Sequence, residues 1–129
     1  MGEKAKLVEQ GIKLFNEAKI NELMDLYDSA AEVESAGSII GGNFRGKEGV
    51  AEWFKKIAST YSGGIRLQVE NLYEAPDAVF AEWNFKGKLA NGQELEGRTA
   101  NVFEFRGDKV AKHRLYTDTE SLARAMEKM

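Results

Sequence analysis

Val79-Phe-Ala-Glu-Trp-Asn-Phe85 alternates, residue by residue, between one set of side chains (Val79, Ala81, Trp83, Phe85) and another (Phe80, Glu82, Asn84). A period of two is the signature of a β-strand, whose successive side chains leave opposite faces. The period recurs on both sides. Ile65, Leu67 and Val69 alternate with Arg66, Gln68 and Glu70. Thr99, Asn101, Phe103 and Phe105 alternate with Arg98, Ala100, Val102 and Glu104, and Val110 to Thr117 completes the set. Three short joints separate these runs: Pro76-Asp77, Asn91-Gly92 and Gly107-Asp108. Each is turn chemistry, and short joints between strands make hairpins, so the second half of the chain reads as a four-stranded antiparallel meander.

Upstream the period changes. Val8, Ile12 and Phe15 fall at helical spacing; so do Ile20, Leu23, Met24 and Tyr27, and then Val50, Trp53, Phe54 and Ile57. Each pattern places one apolar stripe on one helix face. Ala30 to Ser35 is a short strand candidate, the Gly-rich segment Gly37 to Gly46 reads as a loop, and a terminal helix is expected over Thr119 to Met126. Helices first and antiparallel strands second argue for an α+β fold, with the N-terminal helices packed on one face of a curved sheet. The expected organisation is a single domain over residues 1–129, and a curved sheet of this kind can enclose a pocket.

Composition narrows the chemistry. The 129 residues carry a net charge of −3 with acids and bases interleaved, so no basic stripe points to nucleic acid and no polybasic patch to a membrane. There is no cysteine, which removes disulfides, thiolate metal sites and thiol nucleophiles. No His/Asp/Glu cluster has metal-ligand spacing, and the Gly pairs lack the setting of a phosphate loop. No signal peptide or membrane-length apolar run is visible, so a cytoplasmic protein is the expectation.

His113 is the single histidine, and it lies five residues before Asp118 at the end of the last strand. Asp118 reads either as a general base, its pKa raised by burial beside aromatic rings, or as the cap of the terminal helix. His113 has the titration range for acid–base work but also suits a hydrogen-bonded structural place. Strict alternation sends His113, Leu115 and Thr117 to one face and Arg114, Tyr116 and Asp118 to the other. Asn101, on an apolar face, is a ligand contact, an oxyanion donor or a buried structural amide. Trp83, Tyr27, Trp53 and Phe54 are pocket or core aromatics.

Several strings carry a family resemblance: Phe15-Asn-Glu17 through Leu26-Tyr27, Ala31-Glu-Val-Glu34, Phe44-Arg-Gly-Lys-Glu-Gly-Val50, Phe103-Glu-Phe-Arg-Gly-Asp-Lys-Val110 and Tyr116-Thr-Asp118. Together, over about residues 4 to 127, the chain resembles SnoaL-like domains of the nuclear transport factor 2-like, ketosteroid isomerase-like superfamily. The resemblance implies a cone-shaped, cystatin-like α+β barrel with a deep apolar pocket, often in a homodimer and without cofactor or metal. Ketosteroid isomerases in this superfamily use a carboxylate, a tyrosine and an aspartate where Ser35, Gly11 and Asn101 stand here. Limonene epoxide hydrolases use an arginine and an aspartate where Trp83 and Phe85 stand. SnoaL-type cyclases place an aspartate base near Asp118 with a histidine upstream, as His113 is. The resemblance therefore implies a cofactor-independent lyase, isomerase, cyclase or hydrolase. In that reading Asp118 is the base, His113 assists, and Asn101 and Tyr116 bind a substrate oxygen, with Trp83, Tyr27 and Phe54 around the substrate. The alternative is a non-catalytic small-molecule-binding or homodimeric interaction module of the same fold.

Overall fold

In the computed structural model, which describes residues 2–37 and 39–127, the alternating runs form a meander. β3 (Ile65–Glu74), β4 (Ala78–Lys88), β5 (Glu94–Arg106) and β6 (Lys109–Thr117) pair antiparallel in sequence order. Two further strands extend the sheet beyond β6. β1 (Tyr27–Ser35) lies parallel to β6, and β2 (Gly42–Arg45) pairs antiparallel with β1. The order is β2-β1-β6-β5-β4-β3, so the sheet is mixed rather than wholly antiparallel, and it ends at two edges instead of closing into a barrel. Extra residues shift the register between Tyr27 and Glu32, between Val69 and Asn71, and between Glu104 and Phe105. Bulges of this kind bend a strand and increase its twist, which curls the sheet around the helices.

The inner face follows the alternation. Val79, Ala81, Trp83 and Phe85 of β4 are buried, as are Thr99, Asn101 and Phe103 of β5. The opposite face carries exposed Tyr73, Phe80 and Tyr116.

Two sequence expectations change. Tyr27 continues the helical spacing of Ile20, Leu23 and Met24, yet helix α2 (Ile20–Met24) stops short of it and Tyr27 opens β1. The chain leaves the helix to pair with β6 at Val110, and distant lysines meet the carbonyls freed at the stop: Lys47 Nζ and Lys109 Nζ donate to those of Met24 and Asp25, at 2.8 and 2.6 Å. The Gly-rich segment is only partly loop, because β2 forms within it through its pairing with β1.

Helix α1 (Glu3–Asn16) is tied along the free edge of β3 at both ends. Glu74 Oε1 accepts from the Ala5 amide at 2.7 Å, filling an orphan donor of the first turn. At the other end the Asn16 amide both donates to and accepts from the Leu67 backbone, at 2.9 and 2.8 Å. Leu67 sits on an edge strand with no further strand to satisfy it, and Asn16 takes that place. Helix α3 (Gly46–Thr60) buries Val50, Trp53 and Phe54, and α4 (Thr119–Glu127) buries Leu122 and Ala125.

The end of α1 offers a stability test. Ala18 holds φ +59°, and the Ala18 and Lys19 amides donate to the Phe15 and Leu14 carbonyls at 3.0 and 2.9 Å. This is a Schellman ending with alanine where glycine is normal. Ala18→Gly removes the strain of a Cβ in the left-handed region at some entropic cost in the unfolded chain. The expected net gain is about 0.5 kcal/mol, read as a higher urea midpoint; an unchanged or lower midpoint would contradict it.

Candidate functional site

The curled sheet and the helices enclose an apolar cavity of about 130 Å³. Its size is close to the roughly 150 Å³ of an apolar cavity that stays dry and accepts benzene. Helix α1 contributes Val8, Gly11, Ile12 and Phe15 to the wall; α3 contributes Trp53, Phe54 and Ile57; the sheet contributes Trp83, Phe85 and Phe103. Gly11 apart, these are members of the stripes and alternating faces read from the sequence. At Gly11 a Cβ would stand 3.5 Å from the Leu23 and Leu26 methyls, so the absence of a side chain there leaves the wall to the neighbouring leucines.

His113 lies in the interior wall at 2% exposure. Its strand partners hold it: Phe103, directly opposite on β5, stacks on it with centroids 4.0 Å apart and planes 24° apart. Trp53 stands edge-on to it at 5.3 Å. Both ring nitrogens are engaged. Nδ1 is 3.1 Å from the Tyr27 hydroxyl and Nε2 is 2.9 Å from Asn101 Oδ1. Asn101 in turn donates from Nδ2 to the carbonyl of Ala81, its pairing partner on β4, at 3.3 Å. The bulge in β1 lets Tyr27, 86 positions away in the chain, reach the imidazole. Burial away from water disfavours the charged ring and lowers the His113 pKa to about 3. The same burial holds the Tyr27 phenol well above its usual value, and pushes that of Tyr61 up to about 12.

Asp118 sits elsewhere on the wall. It follows the end of β6 and borders the cavity as an exposed residue. Its Oδ1 accepts from the Ser121 amide at 3.0 Å and its Oδ2 from the Ser121 hydroxyl at 2.6 Å. That is the N-cap of α4, with Ser121 as the partner, while Glu120 pairs with Arg124 instead of closing a capping box. The Ser121 hydroxyl first, then the Ser121 amide, pull the Asp118 pKa below the ordinary carboxylate range. The aromatic burial that would raise it does not occur at this position.

The sequence candidates thus divide into four groups. His113, Tyr27, Trp83 and Phe54 line the cavity interior, and Asp118 lines its rim. Asn101 is behind His113, buried at 2% exposure and outside the cavity lining, so its contact is with the imidazole. Tyr116 is 53% exposed on the outer face, away from the cavity. Alternation forecast that separation for Tyr116 and Arg114; Asp118 escapes it because the strand ends one residue earlier. Leu122 of α4 and Ile39 and Ile40 of the loop after β1 also line the cavity. The alternating and helical stripes of the interior did not mark these residues. Among the described residues, no group of three or more His, Cys, Asp or Glu side chains could hold a metal ion, and no helix is long and apolar enough to cross a membrane.

One polar atom is unaccounted for. Among the described residues, Trp53 Nε1 is the buried side-chain nitrogen or oxygen without a hydrogen-bond partner. An unmet buried donor costs about 1–3 kcal/mol, and this one belongs to a ring on the cavity wall.

A curved mixed sheet folded over helices around an apolar interior defines a class of α+β proteins built around a cavity. Residues 8–113 match the SnoaL-like domain family, and the chain belongs to that family. No curated protein matches it significantly. Similar solved structures include a nuclear transport factor 2-like protein of unknown function from Burkholderia pseudomallei, with TM-score 0.90, 13% identity and coverage of 96% of this chain and 97% of that one. TerC co-crystallized with polyporic acid has TM-score 0.88, 16% identity and coverage of 96% and 98%. A protein of ketosteroid isomerase-like fold from Catenulispora acidiphila, in complex with trimethylamine, has TM-score 0.76, 17% identity and coverage of 85% and 83%. At these identities the likeness establishes the shared fold.

Proposed function

We propose that this SnoaL-like domain is a receptor for a small, uncharged, mainly apolar molecule, which it carries or senses rather than converts. The observation behind this reading is the state of the histidine and the carboxylate on the cavity wall, beside tyrosines whose protons burial holds in place. A general base works best with a pKa near the operating pH. His113 is held neutral at about 3 with both nitrogens already bonded. Asp118 is held below the ordinary carboxylate range and its oxygens serve Ser121. Neither is poised to take a proton near neutrality. The rest of the wall is mainly aliphatic and aromatic, with the hydroxyl residues Ser35, Thr99, Thr117 and Thr119 among its lining, and it favours a ligand through burial of apolar area. The structures of the same fold with polyporic acid and with trimethylamine support a cavity that takes small organic molecules.

A second reading keeps catalysis, because Asp118 is ionised and borders the cavity. In that reading Asp118 abstracts a proton, or activates water, in a cofactor-independent lyase, isomerase, cyclase or hydrolase reaction. Asp118→Asn separates the two readings, since asparagine caps a helix about as well as aspartate. A receptor should bind apolar ring compounds with unchanged affinity in this variant, measured by quenching of tryptophan fluorescence. Mass spectrometry should recover those ligands unaltered from the wild type. Conversion by the wild type that is lost in Asp118→Asn would overturn the receptor reading in favour of the enzyme.

A further inference from the structure

The relay through His113 has a direction, and Ala81 sets it. A backbone carbonyl only accepts, so Asn101 must turn Nδ2 toward it, at 3.3 Å. That leaves Oδ1 toward His113, 2.9 Å from Nε2. An amide oxygen also only accepts, so Nε2 carries the hydrogen. A neutral imidazole protonated at Nε2 has a bare Nδ1, and the Tyr27 hydroxyl donates to it at 3.1 Å. Tyr27 lines the cavity, and its one hydroxyl hydrogen is already directed at His113. What it offers a cavity occupant is lone pairs alone.

Trp53 supplies the complement. Its indole is 3% exposed and lines the same cavity, its Nε1–H can only donate, and it has no acceptor among the described residues. The two rings are neighbours. Both pack against Phe54, at centroid distances of 6.0 and 5.1 Å, and both flank His113, at 6.4 and 5.3 Å.

We propose that the cavity takes an uncharged ring compound bearing a hydroxyl group, whose oxygen accepts from Trp53 Nε1–H and whose hydrogen is donated to Tyr27 Oη. This rests on the receptor reading and adds the ligand's chemical class. A hydroxyl both donates and accepts, so it can answer the buried indole N–H and the phenol oxygen of these two lining residues at once. A carbonyl or ether answers Trp53 but presents lone pairs to the lone pairs of Tyr27. A carboxylate would bring an unpaired charge into an apolar site.

The test is a matched set of para-substituted toluenes: p-cresol, p-xylene (the hydroxyl replaced by methyl) and 4-methylbenzaldehyde (an acceptor alone). Binding is followed by tryptophan fluorescence and by the indole N–H signals in a nitrogen-15 spectrum, with Trp53 assigned through Trp83→Phe. The expected result is p-cresol binding at least about tenfold tighter than either analogue, a difference of about 1.4 kcal/mol. p-Cresol, but not p-xylene, should move the Trp53 indole proton downfield. In Tyr27→Phe the preference for p-cresol over p-xylene should fall; if that variant does not fold, the wild-type series decides alone. p-Xylene binding as well as p-cresol would overturn the hydroxyl assignment and leave the receptor reading standing. Tighter binding of 4-methylbenzaldehyde would overturn the direction of the relay. Binding of none of the three would overturn both proposals.

Discussion

Lowering the pH from 6.5 to 4.5 is expected to cost the folded protein about 2 kcal/mol of stability, and the loss is expected to vanish in His113→Phe. The cause is a proton that the unfolded chain accepts and the folded one refuses. In the unfolded chain the imidazole titrates at its ordinary value of 6.5; in the fold, burial lowers it to about 3. Between those values the unfolded state binds more protons, so stability rises with pH. The contribution is complete above about 6.5, is lost progressively as pH falls toward 3, and changes at up to roughly 1.4 kcal/mol per pH unit in between. Protonation would put a charge among Phe103, Trp53 and Trp83, and would put a hydrogen on the nitrogen that now accepts from Tyr27.

The assignment is clean because the chain has one histidine. Asp118 works in the same sense, but its depressed pKa places its loss below 3.8, outside this window. The measurement is the urea midpoint at half-unit steps of pH for both proteins. A flat midpoint in the wild type, or the same slope in His113→Phe, would show that the imidazole is not held neutral by its surroundings. Phenylalanine is the right replacement, because a ring of similar size keeps the stack on Phe103.

The stretches that were legible in the sequence are those whose structure is set by their own side-chain period. The meander from Ile65 to Thr117 alternates over most of its length and is bounded by turn residues, so its strands, its joints and the buried face of β4 and β5 could be read, while the bulges after Val69 and Glu104 left no mark in the pattern. Tyr27 was not legible, because Leu23, Met24 and Tyr27 continue a helical spacing. What takes Tyr27 out of that helix is its pairing with Val110 on β6, with Lys47 and Lys109 meeting the carbonyls left at the helix end. β2 was hidden for a similar reason: only Phe44 of its four residues is buried, and the strand exists through its pairing with β1. At the site, sequence order gathered His113 and Asp118 as a pair. The fold assigns them to different environments, one in the interior wall among aromatic rings and one on a helix cap at the rim. The partners that define the imidazole, Tyr27 and Asn101, come from two other strands, and no local pattern joins them.

Asn101→Leu is expected to destabilise the protein by about 3 kcal/mol, more than its modest change in volume would suggest. The leucine removes the acceptor of His113 Nε2–H, and the ring has no tautomer that avoids the loss. With the hydrogen on Nε2, a buried donor faces methyl groups. With it on Nδ1, the Tyr27 hydroxyl is turned from donor to acceptor and a bare Nε2 faces the same methyls. Either way one buried polar atom is orphaned, and the low dielectric of the interior makes that expensive. Removing the second partner should therefore restore stability. In Asn101→Leu/His113→Phe no polar ring atom remains inside at position 113, and Tyr27 keeps its place in the cavity lining. The double variant is expected to recover about half or more of the loss, giving a coupling of about 1–2 kcal/mol between the two positions in urea denaturation. Losses that simply add would show that Asn101 and His113 are packed side by side without depending on each other. The same double variant also frees the Tyr27 hydrogen to point into the cavity. If the relay is what orients that hydroxyl, preference among the toluenes should move away from p-cresol toward 4-methylbenzaldehyde, and an unmoved preference would place the selectivity in Trp53 alone.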